Sequence, residues 1–307
     1  MAQHELNQPR KLTFASMIYP SKWSEANAIL LTESIRTYGG ALSQHPLLFL
    51  CPKRSDEISQ RVRERLSTSG ADIVPVKESI PEFPFIDDVH AAAHAESLES
   101  GRSDLMAWLG NDTLVLQEPK DFMLTAGKSR GYRPVHITNI GSQFNSPMDP
   151  FWTIIYERLK VPRDRVFPMK AHIEEIPIRP YFNAGLLIVR PERGLLQEWR
   201  NAFFGIYDDA TLQQFYQRDE NYSTFVHQAV LAGVILSRLT KAEIQELPPH
   251  YNYPIHLYHQ DNTRNRPSTL DELVTFRHND FFEDPEWPNK ISADDALKNW
   301  IRTRLPT

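Results

Sequence analysis

The first third of the chain alternates short apolar runs with longer segments in which apolar side chains recur at helical spacing. The runs "LTFASMI" (12–18), "PLLFLC" (46–51), "ADIVPV" (71–76) and "DLMAWLG" (104–110) read as strands. Between the first two, "WSEANAILLTESIRTYGG" sets Ala28, Leu31, Ile35 and Tyr38 on one helical face and stops at Gly39-Gly40. "SDEISQRVRERLSTSG" aligns Ile58, Val62 and Leu66 between a capping Ser55 and Gly70, and the Ala-rich "FIDDVHAAAHAESLESG" closes on Gly101. Strands alternating with covering helices predict an α/β fold: a mostly parallel mixed sheet, flanked by helices and joined by right-handed crossovers. In open sheets of this kind ligands bind outside the carboxyl ends of the strands.

From residue 117 the pattern loosens. "PVHIT" reads as a strand, and "DPFWTIIYERLKV" reads as a helix with Asp149 as cap and Pro150 in its first turn. "YFNAGLLIVRPE" is a buried strand, while "RGLLQEWRNAFFGIY" and "YSTFVHQAVLAGVILSRL" are helices. The tail is loop-rich and dense in His and aromatics. Within "IHLYH", an extended chain would set His256 and Tyr258 on one face and His259 on the other. No repeat or clean linker divides the chain, so it reads as one large domain with halves 1–116 and 117–307.

Composition removes several classes of function. A net charge of -5 with no block of like charge argues against nucleic acid. The single Cys51 excludes an internal disulfide, and no apolar run is long enough to cross a bilayer. The N-terminal "MAQHELNQPRKLTF" lacks the apolar core of a signal peptide, so the expected location is cytoplasmic.

Candidate chemistry begins at "GND" (110–112). Residues i and i+2 of a strand point the same way, which is how a D-x-D pair offers two carboxylates to one divalent cation. Here Gly110 takes the first position, Asp112 remains, and Asn111 points to the other side. The alternative is a tight turn in which Asp112 bonds the local backbone. Asn183, directly before the buried "LLIV", needs partners for its amide, and Ala184-Gly185 removes the bulk that would keep a ligand away; a strand-start turn is the alternative there. The late histidines have no compact zinc spacing.

The order of these features resembles the GT-A nucleotide-diphospho-sugar glycosyltransferases, in particular those of the GT8 type. "FASMIYPSKWSEANAILLTESIRTYGG" is similar to the strand and helix that receive the nucleotide, and "MAWLGNDTLVL" to the strand that ends in D-x-D. "YFNAGLLIVRPERGLLQEW" resembles the F-N-A-G strand and its helix. "HQAVLAGVI" resembles a segment that ordinarily begins Asp-Gln, and "LPPHYNYPIHLYH" the closing LP..YN and His region. The resemblance implies a GT-A-like (Rossmann-like) fold with a nucleotide-binding half over 1–116 and a sugar and acceptor half over 117–307. It implies a hexosyltransferase-like enzyme that moves a sugar from a nucleoside diphosphate sugar, a UDP- or GDP-sugar, to an unknown acceptor, and it leans to retention.

Carried over by position, the resemblance sets Ile18, Tyr19 and Pro20 by the base and ribose, with Asn111 and Gly185 in the same binding set. Asp112 falls by the diphosphate, with His259 as a late metal or phosphate ligand. Asn183 and Gly185 fall in the sugar pocket, and His227 and Gln228 where an acceptor or donor sugar is held. Mn2+ or Mg2+ would then sit at Asp112 and His259. The departures bear on this, since Gly110 and His227 stand where carboxylates are usual, which implies weak or no metal dependence, with Arg179, Lys22 and Arg133 as candidate cations. The same losses suit a catalytically inactive nucleotide- or sugar-binding protein. In the loop 133–147, which the family pattern lacks, His136, Thr138, Asn139, Ser142 and Gln143 are either readers of sugar hydroxyls or parts of a solvated loop. A D-x-D-x-T phosphatase is rejected because its nucleophile would fall on Gly110.

Overall fold

A computed structural model describes residues 11–52, 55–76 and 81–306; residues 1–10, which carry most of the N-terminal expectation above, lie outside them. β1 (Leu12–Met17) is followed by α1 (Lys22–Tyr38), which starts where the Ser21 side chain accepts from Ser24 N. β2 (Leu47–Cys51), α2 (Gln60–Thr68), β3 (Ala71–Pro75), α3 (Ile86–Glu99) and β4 (Leu105–Leu109) continue the alternation read from the sequence. The helix expected from Ser55 starts later, at Gln60, after a single 3-10 turn. The cause is Glu25 of α1, whose carboxylate accepts from both the backbone N–H and the hydroxyl of Ser59 and fixes that residue just before the helix.

Beyond β4 lie β5 (Thr113–Val115), β6 (Arg130–Pro134) and α4 (Pro150–Arg158), the last capped by Asp149 as expected. A short ribbon of β7 (Met169–Lys170) and β8 (Pro177–Ile178) leads into β9 (Phe182–Val189). The strand expected at "PVHIT" is β6, set earlier. Only Val135 carries on past Pro134, donating to Tyr181 O. Then come α5 (Leu195–Phe204), α6 (Ala210–Tyr216), α7 (Glu220–Arg238), β10 (Ile244–Glu246), β11 (Tyr253–Pro254), β12 (Thr275–Arg277), α8 (Trp287–Lys290) and α9 (Asp295–Arg302). "IHLYH" is not extended. After Pro254, which has no N–H to continue a ladder, residues Ile255–Gln260 coil into a 3-10 helix.

The main sheet has seven strands in the order β10-β6-β9-β4-β1-β2-β3, with β9 antiparallel to both of its neighbours and the other pairs parallel. It is the mostly parallel, helix-flanked sheet that the alternation predicts, and it crosses residue 116 without a break because β4 pairs with β9. Its central strands are buried on both faces and their side chains sort by period two. Ala15, Met17, Met106 and Trp108 join the core under α3, α4, α5 and α7, whereas Leu12, Phe14, Leu105 and Ala107 join the core under α1 and α2. A second small sheet, β11-β12-β5, draws the C-terminal region back over the end of β4, sealed by Leu114, Tyr253, Phe276, Phe282 and Trp287.

One cap shows how tightly the layers are tied. α5 begins at Gly194 and has no side-chain cap of its own. Instead Glu96 of α3, fully buried, accepts from Leu196 N and Gln197 N, both at 2.9 Å, so its carboxyl serves the dipole of another helix. Glu96→Ala strands these donors, and the expected loss is roughly 1–3 kcal/mol. Urea unfolding against the wild type measures it; an unchanged midpoint would show that the bridge contributes nothing.

Candidate active site

The carboxyl ends of β1 and β4 open into one cleft. "GND" is a turn and a cleft wall at once: Thr113 N donates to Gly110 O at 3.0 Å, while Gly110 N donates to Gly185 O at 2.9 Å and ties the turn to β9. The Asp112 carboxylate does not serve the turn. It is 6% exposed, accepts from Arg277 Nε through Oδ1, and accepts from Asn279 N at 3.0 Å through Oδ2. His278 N donates to Asp112 O at 3.0 Å, so three consecutive residues of the C-terminal region grip this one aspartate.

Strand register explains the encounter. β12 runs antiparallel to β5 with Arg277 opposite Thr113, which sets the Arg277 side chain beside the turn that precedes β5. Its guanidinium fills the space over two glycines. A Cβ added to Gly110 would stand 2.5 Å from Cζ and 2.8 Å from each Nη, and one added to Gly185 would overlap Nη1. Both glycines are therefore matters of space. Nη1 and Nη2 have no hydrogen-bond partner among the described residues, and the side chain remains 23% exposed to the cleft.

Arg277 stands between two lobes. One, of about 320 Å³, is lined by Met17, Tyr19, Ser24, Asn27 and Asn111, at the start of α1. The other, of about 330 Å³, reaches His136, Asn139, Asn183, Thr224, Gln228 and His256. Both are lined by Phe85, Asp88, Trp108, Gly110, Asp112, Arg277 and Asn279, which makes them compartments of one cleft. In the first, Ser24 Oγ accepts from Tyr19 N and from Asn111 Nδ2, both at 2.8 Å. In the second, Gln228 Oε1 accepts from Ala184 N at 2.9 Å and Asn183 Oδ1 from Gly185 N at 2.8 Å, so these two amides hold the small residues of β9 in place. Phe85 rims both lobes. It is 43% exposed, has a left-handed backbone (φ 58°), and stacks on His227 at 4.4 Å.

The two carboxyl groups lining the cleft are driven apart. Burial pushes both upward. For Asp112 the charges of Arg277 and His278 and its hydrogen bonds outweigh burial and hold it below the usual range. For Asp88 burial wins over the charge of Arg277, with Asp87 and Asp112 adding to it, and the value rises to about 7. Burial lowers His227 to about 3 and His278 to about 4, so these imidazoles are neutral at physiological pH.

Of the residues singled out from the sequence, Tyr19, Asn111, Asp112, Asn183, Gly185, His227 and Gln228 all line the cleft. Ile18 lies in the core beneath it, fully buried, and Pro20 lines neither lobe. His259 is exposed on the 3-10 helix with its ring against Tyr258, away from Asp112, while its neighbour His256 faces the cleft. His136 and Asn139 of the 133–147 loop reach the second lobe; Thr138 bonds Glu174, and Ser142 and Gln143 bond Arg179. The candidate cations are engaged elsewhere: Arg179 on that loop, Arg133 on Glu246, Leu247 O and His172, and Lys22 exposed at the start of α1. The residues missed are Asp88, Phe85 and above all Arg277. "TFRHND" carries the signal of a strand ending in a charged residue and turn formers, the same grammar as "MAWLGND". For a divalent cation the donor set is poor. Asp112 is already paired with a guanidinium, and no group of three or more His, Cys, Asp or Glu among the described residues could hold a metal.

No curated protein matches the chain by sequence. Among solved structures it is similar to the bifunctional glycosyltransferase WbbM, at a TM-score of 0.57 and 12% identity over 98% of this chain and 53% of that one, so it spans about half the length of WbbM. It is also similar to the galactosyltransferase LgtC in complex with donor and acceptor sugar analogues (TM-score 0.52, 13% identity, 96% of both chains) and to mouse xyloside xylosyltransferase 1 (0.50, 12%, 88% of this chain and 98% of that one). These likenesses establish a glycosyltransferase fold of the GT-A type. No helix among the described residues is long and apolar enough to cross a membrane. Residues 16–238 match the Rhodobacterales glycosyltransferase domain, and with most of the sheet and the cleft inside that span, the chain belongs to this glycosyltransferase family.

Proposed function

We propose that this glycosyltransferase takes its sugar from a nucleoside diphosphate donor, a UDP- or GDP-sugar, in the cytoplasm. The nucleotide would lie in the lobe at β1 and α1 and the sugar in the lobe at β9 and α7. The observation that carries the reading is the two-lobed cleft with a guanidinium at its seam, where the diphosphate joining base to sugar would cross. Exposed Phe85, stacked on His227, offers an apolar platform at the rim for the acceptor.

In the transfer the acceptor oxygen forms a bond to the anomeric carbon. The bond from that carbon to the diphosphate breaks with its electron pair going to the departing phosphate oxygen, and the hydroxyl proton must find a base. Asp112 is a poor one because its ion pair keeps it acidic. Asp88, which lines both lobes and titrates near neutrality, is the carboxyl group suited to take that proton.

Nucleoside diphosphate release from UDP- and GDP-sugars, with a panel of sugar acceptors, tests the reading. The wild type is expected to turn over, with a rate that rises through about pH 7 as Asp88 ionises. Asp88→Asn is expected to keep donor binding and lose roughly 10²-fold or more of the rate. Tight binding without turnover in the wild type would instead favour a nucleotide- or sugar-binding protein of this fold.

The same residue predicts an effect on stability. Asp88 has a higher value in the folded than in the unfolded chain, so its cost to folding is absent near pH 4, grows toward pH 7 and is constant above. Asp88→Asn removes that cost and should melt higher than the wild type at pH 8, by at least about 2 °C, with the gap closing toward pH 4. Thermal melts at the two pH values check this, and a gap independent of pH would rule out the ionisation as its source.

A further inference from the structure

We infer that Arg277 is a built-in counter-cation for the donor diphosphate, standing where a D-x-D site carries its divalent ion, and that Gly110 and Gly185 are glycines because they make room for it. This rests on the donor reading above. A first carboxylate at position 110 would displace this guanidinium from where it stands, since a Cβ at 110 falls 2.5 Å from Arg277 Cζ. Position 185 on the facing strand is cleared for the same group. The turn after β4 and the strand β9 thus both lack side chains where this one cation stands.

The arrangement orients the cation as well as holding it. Asp112 takes Nε, which leaves Nη1 and Nη2 with donors unused by the described residues, on a side chain that lines both lobes and is 23% exposed. Two N–H groups in a planar fork match two phosphate oxygens. Asp112, which would ligate a metal in a D-x-D site, here aims the arginine. A divalent ion brought to this place would meet a fixed positive charge and a carboxylate already neutralised by it.

The test is calorimetric titration of the full chain with UDP and with GDP, first in EDTA and then in millimolar Mn2+, with uridine and guanosine as phosphate-free controls. The wild type is expected to bind one of the diphosphates in EDTA, with an affinity that Mn2+ changes by less than about threefold. Arg277→Lys keeps the charge and the partner of Asp112 but loses the fork, and should bind about tenfold more weakly. Arg277→Met with Asp112→Asn removes both charges together, so no buried carboxylate is stranded, and should lose roughly 10- to 100-fold. Nucleoside binding should be equal in all of them, which separates loss of the phosphate contact from loss of the fold. Diphosphate binding that is abolished by EDTA and restored by Mn2+ would overturn the inference and leave the donor reading intact. So would a double variant that binds like the wild type. If neither diphosphate binds in either condition, the donor reading falls and takes this inference with it.

Discussion

A carboxylate that folding has buried cannot be left alone, and the ion pair between Asp112 and Arg277 is the constraint on which this cleft depends. Partners 165 residues apart in sequence meet because β12 pairs with β5, and β5 follows directly from the turn that ends β4. The pair therefore fastens the C-terminal region to the main sheet. It also bears on sequence at a distance: with the guanidinium where it stands, a Cβ at 110 or 185 would collide with it and the arginine would have to move. Removing Arg277 would leave Asp112 buried and charged, so the two are coupled in stability as well as in chemistry.

Around that pair the cleft is built to keep other charges down. Burial raises Asp88 to about 7, and the imidazoles of His227 and His278 are neutral by burial. Of the residues lining the two lobes, Arg277 alone is an arginine or lysine, and Asp112 takes only its Nε. The fold stores a cost at Asp88 to achieve this, because a carboxyl whose ionisation is suppressed destabilises the folded state at neutral pH. The left-handed backbone of Phe85, immediately before α3, is a second local compromise at the same rim. Strain and suppressed ionisation converge on the cleft, as expected where function competes with stability.

The parts of this structure legible in the sequence are those governed by local periodicity and short-range punctuation. The strands of the first third, the Asp149 cap with Pro150 and the glycine stops all follow from patterns within a few residues. The misjudged elements were overridden by tertiary partners: Ser59 is held by Glu25 of another helix, and "IHLYH" coils because a two-residue strand ends at Pro254. In the cleft, the residues at the ends of β1, β4 and β9 could be named because strand ends are visible in a sequence. Arg277 could not, since its place follows from a register between remote strands. Arg133 and Arg179 were equally plausible cations by composition, but they line neither lobe and their donors are spent on carbonyls and side chains.

Gly110 illustrates why a missing acidic residue is ambiguous until its surroundings are known. As sequence, Gly-Asn-Asp in place of D-x-D reads equally as an eroded site or as a different one. Erosion removes a charge and leaves its space to be refilled by whatever fits, with no demand on the facing strand. Here the vacated space is occupied by a charge of opposite sign to the one lost, that charge is oriented by the surviving aspartate, and Gly185 on β9 is cleared to admit it. An ion pair, one glycine in the turn after β4, another on β9 and a strand register agree on one group. Such agreement is what selection for a cation at that point requires, and loss of function alone does not produce it.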